Sequence, residues 1–209
     1  MDTPGRRTVN ARVAVHPIEQ ESYAILRSRL DTSDLPPLTR AVVERVVHTS
    51  ADTTWAGDLV AAEDALQAGR EALLAGSPLV TDVRMVASGI TARPAVVALD
   101  LAAGPEPGLT RSAAGIRAAV AQHPDGAVWV IGNAPTALHE LVRCAADGLV
   151  RTPLVVGLPV GFVGAVAAKA ALRASGLPAV SNRGERGGAA VAAAAVNALL
   201  YADDDRAVD

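Results

Sequence analysis

A chain of 209 residues, half of them hydrophobic, has enough apolar material for one globular domain; with 2% aromatics and a formal net charge of −3 it lacks the basic runs and stacking side chains of a nucleic-acid binder. A single cysteine, Cys144, excludes an intrachain disulfide and a cysteine-based zinc site. No apolar run approaches the roughly 20 residues that cross a bilayer, and the opening MDTPGRRTVNARV has no apolar signal core, so a cytoplasmic location is expected.

Residues 1–20 are polar and read as an N-terminal arm, and the α/β domain is expected to occupy 21–201. The first expected helix covers 21–30, with Tyr23, Ile25, Leu26 and Leu30 apolar, and the turn stretch DTSDLPP stops it. The next, 38–48, places Val42, Val43, Val46 and Val47 on one face and Arg45 with His48 on another stripe. A third helix is expected over 58–75, ended by Gly76. Strands are expected at 79–85 and 96–101, followed by a helix over 110–121 with Thr110 as its N-cap. VWVI at 128–131 has the β-branched and aromatic residues of a buried strand, and Gly132 and Asn133 tolerate unusual backbone angles. Pro135 suits the first turn of the helix expected over 134–144. A strand at 154–157, a helix over 164–175, a short strand at 178–181, the loop NRGERGG and an Ala-rich helix over 189–201 follow. The tail 202–209 is acidic. This alternation predicts a single α/β domain: an open, mainly parallel sheet of about five strands with helices on both faces, and 128–131 as its central strand.

GxGxxG, GxxxxGK[ST] and GxSxG are all absent, and the four histidines lack zinc spacing, which argues against a nucleotide-binding α/β enzyme and against metal-dependent hydrolysis. His48 ends an apolar helix; it either complements the helix dipole or serves as an acid–base group, with Arg45 beside it able to hold an anion. Asp82 and Arg84 in TDVRM are either a strand-end ion pair or part of a site at the carboxyl edge of the sheet. Arg111 sits in a first helical turn, unfavourable for a cation unless an anion or carboxylate is near. Asn133 and Thr136 flank the strand-to-helix turn, while PVGFVGA, containing Gly161, and NRGERGG, containing Arg183 and Gly187, are further glycine-rich loops. Three such loops at neighbouring strand ends would form a wall of N–H groups suited to carboxylates or phosphates.

The segments SYAILR, RVVH, TDVRMVASGIT, TRSAAG, VIGNAPTAL, VGLPVGFVGA and RGERGG, in this order from about residue 22 to 200, resemble the precorrin-8X methylmutase family of corrin (cobalamin) biosynthesis. The resemblance implies an α/β homodimer with active sites near the subunit interface and no redox cofactor or catalytic metal. It implies an isomerase that moves a methyl group from C-11 to C-12 of precorrin-8X, or cobalt-precorrin-8, to give hydrogenobyrinate or cobyrinate. The family's catalytic histidine closes its RxxH motif, which is His48 here, in the role of proton donor. Ser22 matches the substrate-contacting serine of SxAxxR, Arg45 the arginine of RxxH and Arg111 that of TRSAA. Asp82, Arg84, Asn133, Thr136, Gly161, Arg183 and Gly187 complete the expected substrate-binding set. The chain departs from the family pattern at Thr81 and Val83 of TDVRM, at Ala92, at Ala167-Ala168 before Lys169 where the family has an ESK-like tripeptide, and at Ala189. A polycarboxylate corrinoid is the expected ligand. A non-catalytic corrinoid carrier that hands product to the next pathway enzyme is the alternative function.

Overall fold

The computed structural model describes residues 16–202; the expected arm up to residue 15 and the tail beyond 202 lie outside the described residues. In chain order the elements are α1 (Pro17–Arg29), α2 (Pro37–Ser50), α3 (Trp55–Asp58), β1 (Leu59–Ala61), α4 (Glu63–Leu74), β2 (Leu79–Thr81), α5 (Arg84–Gly89), β3 (Val96–Val97), a 3₁₀ turn (Ala98–Leu101), α6 (Arg111–Gln122), β4 (Val128–Ile131), α7 (Pro135–Ala146), β5 (Val155–Gly157), α8 (Ala165–Ala174), β6 (Ala179–Asn182) and α9 (Ala189–Tyr201). Six strands form one sheet in the order β1-β6-β5-β4-β2-β3, with every pair parallel except β1–β6. β4 is an inner strand, in register with Leu79–Thr81 on one side and Val155–Gly157 on the other.

Alternation along β4 builds the two layers. Val128 and Val130 join the core under α2, α4 and α9, whereas Trp129 and Ile131 join the core under α6, α7 and α8. All four side chains are buried, which is why this strand was legible as a continuous apolar run. α9 is buried almost all round, and its alanines let α2 and the sheet approach it closely.

Four expectations change. α1 begins at Pro17, inside the stretch read as arm up to residue 20, with the His16 ring accepting from the Ile18 N–H at its start. The helix expected over 58–75 is split: Leu59–Ala61 leaves it to pair antiparallel with Asn182–Val180, a partner more than 100 residues away that local periodicity does not reveal. The strand expected over 79–85 ends at Thr81, because the Asp82 carboxylate accepts the Val83 N–H and the chain turns there into α5. The strand expected over 96–101 is two residues long and continues as the 3₁₀ turn, with the Leu99 N–H bound to the Asp82 carbonyl.

Gly132 is required for a different reason from the one its neighbours suggested. Neither it nor Asn133 has a positive φ. A Cβ on Gly132 would lie 2.8 Å from the Val86 and Ala192 side chains, so glycine lets α5 and α9 close against the exit of β4.

Candidate active site at the carboxyl edge of the sheet

The parallel strands β2, β4, β5 and β6 all exit at one edge, and the residues singled out in the sequence lie along it. The span from β6 to β2 is three inter-strand spacings, about 14 Å, which gives room for a large ligand. This is where open α/β sheets bind ligands.

His48 stands in the last turn of α2, half-buried. α1 crosses α2 and supplies its environment. Ser22 Oγ lies 2.9 Å from His48 Nδ1, and the Tyr23 ring stacks on the imidazole with centroids 4.8 Å apart and planes 7° off parallel. The ring is therefore held on one face and at Nδ1. Tyr23 lies inside the SYAILR segment at an open position of SxAxxR, and its place one residue after Ser22 on a helix facing His48 is the signal that could have marked it.

Arg45 is buried. Its Nη1 lies 2.9 Å from Glu19 Oε1, and its guanidinium sits 5.4 Å from the centroid of Tyr23. It thus contacts the same Tyr23 ring that stacks on His48 and supports the imidazole indirectly. A second pair ties the same helices: Glu44, buried, accepts from Arg27 at 3.1 Å and from the Thr32 hydroxyl at 2.6 Å.

The segment after α2 fastens His48 to the sheet edge. Asp52 pairs with Arg186 of the β6 exit loop, and Arg186 also donates to Thr54 Oγ1 (2.6 Å) and Asp58 Oδ2 (3.2 Å) while lying 4.6 Å over the Trp55 ring. Asp58 in turn accepts the Arg183 and Gly184 N–H groups at 2.9 and 3.2 Å and the Asn182 Nδ2 at 2.9 Å.

Asp82 performs the matching task at β4. It is buried, and its oxygens accept the N–H groups of Gly132 (3.1 Å), Asn133 (2.8 Å) and Ala134 (2.9 Å). Burial pushes this carboxyl up from its ordinary value, against the opposing pull of the four amides. In this structure the acceptor capacity of Asp82 is turned onto the loop.

The wall of ligand-facing N–H groups expected from the three glycine loops is therefore largely closed from within. The amides of 132–134 bind Asp82, those of Arg183 and Gly184 bind Asp58, the Gly161 N–H binds the Glu185 carbonyl at 3.1 Å, and the Gly188 N–H binds the Leu158 carbonyl at 2.9 Å. The loops brace one another. Gly187 lies against the β5 exit so closely that a Cβ would come within 2.3 Å of the Leu158 carbonyl oxygen, so glycine is needed there for close approach. Gly161, at φ 155°, holds the loop in a conformation that favours glycine.

The cationic groups exposed at this edge are arginine side chains. Arg111 is exposed in the first turn of α6; Thr110 caps that helix through the Ala113 N–H, and its hydroxyl lies 2.8 Å from that of Thr136 in the first turn of α7. Thus Arg111, Thr136 and exposed Asn133 cluster at the β4 exit. Exposed Arg183 donates to the Gly57 carbonyl at 3.3 Å on the His48 side. Arg84 lies beyond β2 and pairs with Asp100 at 2.9 Å, with both partners exposed, so this pair adds little stability. Between these groups the tip of the β5 loop presents Phe162 and Val163, 94% and 88% exposed.

Asp58 gives the edge an acid sensitivity. Burial raises its pKa, but the combined hydrogen bonds from Asn182, the Arg183 N–H, Arg186 and the Gly184 N–H outweigh burial and leave it below 3.8. The native state holds this proton less tightly than the unfolded chain, so the stabilisation is complete above 3.8 and is lost as pH falls through the lower native value. Urea midpoints measured from about pH 5 down to about pH 2 should fall less steeply in Asp58→Asn than in the wild type.

The sequence profile described as "Precorrin-8X methylmutase" matches residues 17–202. The chain is 40% identical over 193 residues to the precorrin-8X methylmutase of Pseudomonas aeruginosa, covering 87% of this chain and 93% of that protein. It is 38% identical over 206 residues to the cobalt-precorrin-8 methylmutase of Synechocystis sp., covering 88% and 94%. The crystal structure of a precorrin-8X methylmutase from Thermus thermophilus superposes with a TM-score of 0.80 at 34% identity, covering 90% of this chain and 96% of that one. Together with a sheet edge that gathers His48, Ser22 and exposed arginines along parallel strand exits, this places the chain in the precorrin-8X methylmutase family.

Proposed function

We propose that His48 is the proton donor in the methyl migration from C-11 to C-12 of precorrin-8X, the reaction that family membership assigns to this chain, with hydrogenobyrinate as product. The observation that carries the role is the fixing of the imidazole by Ser22 at Nδ1 and by Tyr23 on its face. Migration breaks the C-11–methyl bond and forms the C-12–methyl bond. The composition of the macrocycle does not change, so a proton placed on the conjugated system must also leave it. A histidine suits both transfers, because its ordinary pKa lies near neutrality. Protonation withdraws electron density from the conjugated system, leaves the acceptor carbon electron-poor toward the migrating methyl and its bonding pair, and so lowers the barrier. Arg111 and Arg183 are proposed to bind the acetate and propionate side chains through charge-assisted hydrogen bonds, with Asn133 and Thr136 shaping the β4 side of the site. Arg84 reaches the same edge from β2.

Phe162 and Val163 support a site completed by a second subunit or by the macrocycle itself, since an exposed apolar tip gains most when covered. The protein is proposed to act as a homodimer in the cytoplasm; among the described residues no helix is long and apolar enough to cross a membrane. The test is a single-turnover assay with precorrin-8X. The visible spectrum of bound ligand should change to that of hydrogenobyrinate. Stoichiometric binding with the methyl still on C-11 would favour the carrier that only passes a corrinoid onward to the next enzyme.

A further inference from the structure

Lys169 of α8 is wholly buried, yet its ammonium bonds two uncharged acceptors: Asn182 Oδ1 at 2.8 Å and the Arg186 carbonyl at 2.7 Å. Both belong to the β6 exit. Asn182, also fully buried, passes the contact on, donating through Nδ2 to Asp58 and to the Arg186 carbonyl. Arg173, one turn further along α8, donates to the Asn182 carbonyl. A buried ammonium is costly, and an apolar side chain of the same length would fill this place at lower cost to the fold. What an apolar chain could not do is fix the backbone of Arg186, the residue that clamps Asp52, Thr54 and Trp55 just beyond the His48 helix.

We propose that Lys169 is the positioning residue of the binding edge: by holding Arg186 and Asn182 it sets the loop that presents Arg183 and fastens the segment following His48. The proposal rests on the corrinoid-binding reading above. The charged groups around the ammonium are Asp58 of α3, Arg173 of α8, and Glu185 and Arg186 of the loop. Burial first, then the two arginines, lower its pKa to about 8, against the opposite pull of Asp58 and Glu185. An anionic ligand on the loop would favour the ammonium and raise that value.

The test compares Lys169→Met and Lys169→Gln with Leu172→Ala, which opens a cavity in the core beneath α8 without touching the loop. The lysine variants should raise KM and the dissociation constant for hydrogenobyrinate about tenfold with kcat within about threefold, whereas Leu172→Ala should lower Tm and leave KM unchanged. Lysine variants that match Leu172→Ala, less stable but with unaltered KM, would overturn the proposal. The wild type answers the same question without a variant: in lysine-selective NMR, saturating hydrogenobyrinate should move the Lys169 titration midpoint upward from about 8. An unmoved midpoint would overturn the proposal even if neither variant folds. A wild type that fails to convert precorrin-8X would count against the reaction, whereas a converting wild type matched in KM by Lys169→Met would count against Lys169 alone.

Discussion

His48→Ala is expected to lower kcat for methyl migration by about 10²–10⁴-fold, the range a positioned acid–base group supplies, while hydrogenobyrinate binds within about threefold of the wild type. The fold should survive. His48 is half-buried in the last turn of α2, alanine is a good helix former, and the losses are the stack on Tyr23 and the hydrogen bond with Ser22, worth about 1 kcal/mol each. Rapid-mixing absorbance and a product titration separate the two quantities. Full turnover in a folded His48→Ala protein would remove the histidine from the mechanism. Ser22 and Tyr23 act through the imidazole, so their variants should sit between these limits.

Asp82→Ala should be the most damaging change to stability at the edge, about 3 kcal/mol or more, because it strips the acceptor from the N–H groups of Gly132, Asn133 and Ala134 together. For a domain of this size that corresponds to a Tm lower by about 6–12 °C, read by calorimetry. Asp82→Asn should recover little of it, since an amide turns donor hydrogens toward amides that are themselves donors. The loss extends to function: the turn that Asp82 holds sets the first residues of α7, including Thr136, and through it the hydroxyl pair with Thr110 next to Arg111. Asp82→Ala should therefore weaken product binding as well as the fold. A variant with wild-type Tm would show that the loop is held without the carboxylate.

Asp82 and Asp58 share one design. Each carboxylate gathers backbone amides from a glycine-rich loop at a strand exit, and the loops then brace one another through Gly161 with Glu185 and Gly188 with Leu158. The edge is thus internally hydrogen-bonded backbone dressed with exposed cations, Arg111 and Arg183 foremost. Such an arrangement suits a large, flat, polyanionic ligand better than a phosphate cradle would. Its amides are spent on internal order, and its charges project from outside.

By itself the sequence determined what repeats locally. The run VWVI and the Pro135 helix start were readable because all-buried strands and helix N-termini leave period and composition signals, and β4 and α7 formed where those signals stood. His48 and Arg45 were readable as neighbours on α2 because spacing on a helix fixes which side chains share a stripe. Tertiary structure alone decided what those neighbours do. Arg45 turns to Glu19 and Tyr23, β1 leaves a helical stretch to pair with β6, and Gly132 and Gly187 are needed for close approach. The amides that looked open to a ligand are taken by Asp82 and Asp58, one from 50 residues away and the other from more than 120. The physical reason is the same in each case: a hydrogen-bonding group must find its partner once water is excluded, and the partner is chosen by how the layers pack, which no local period encodes.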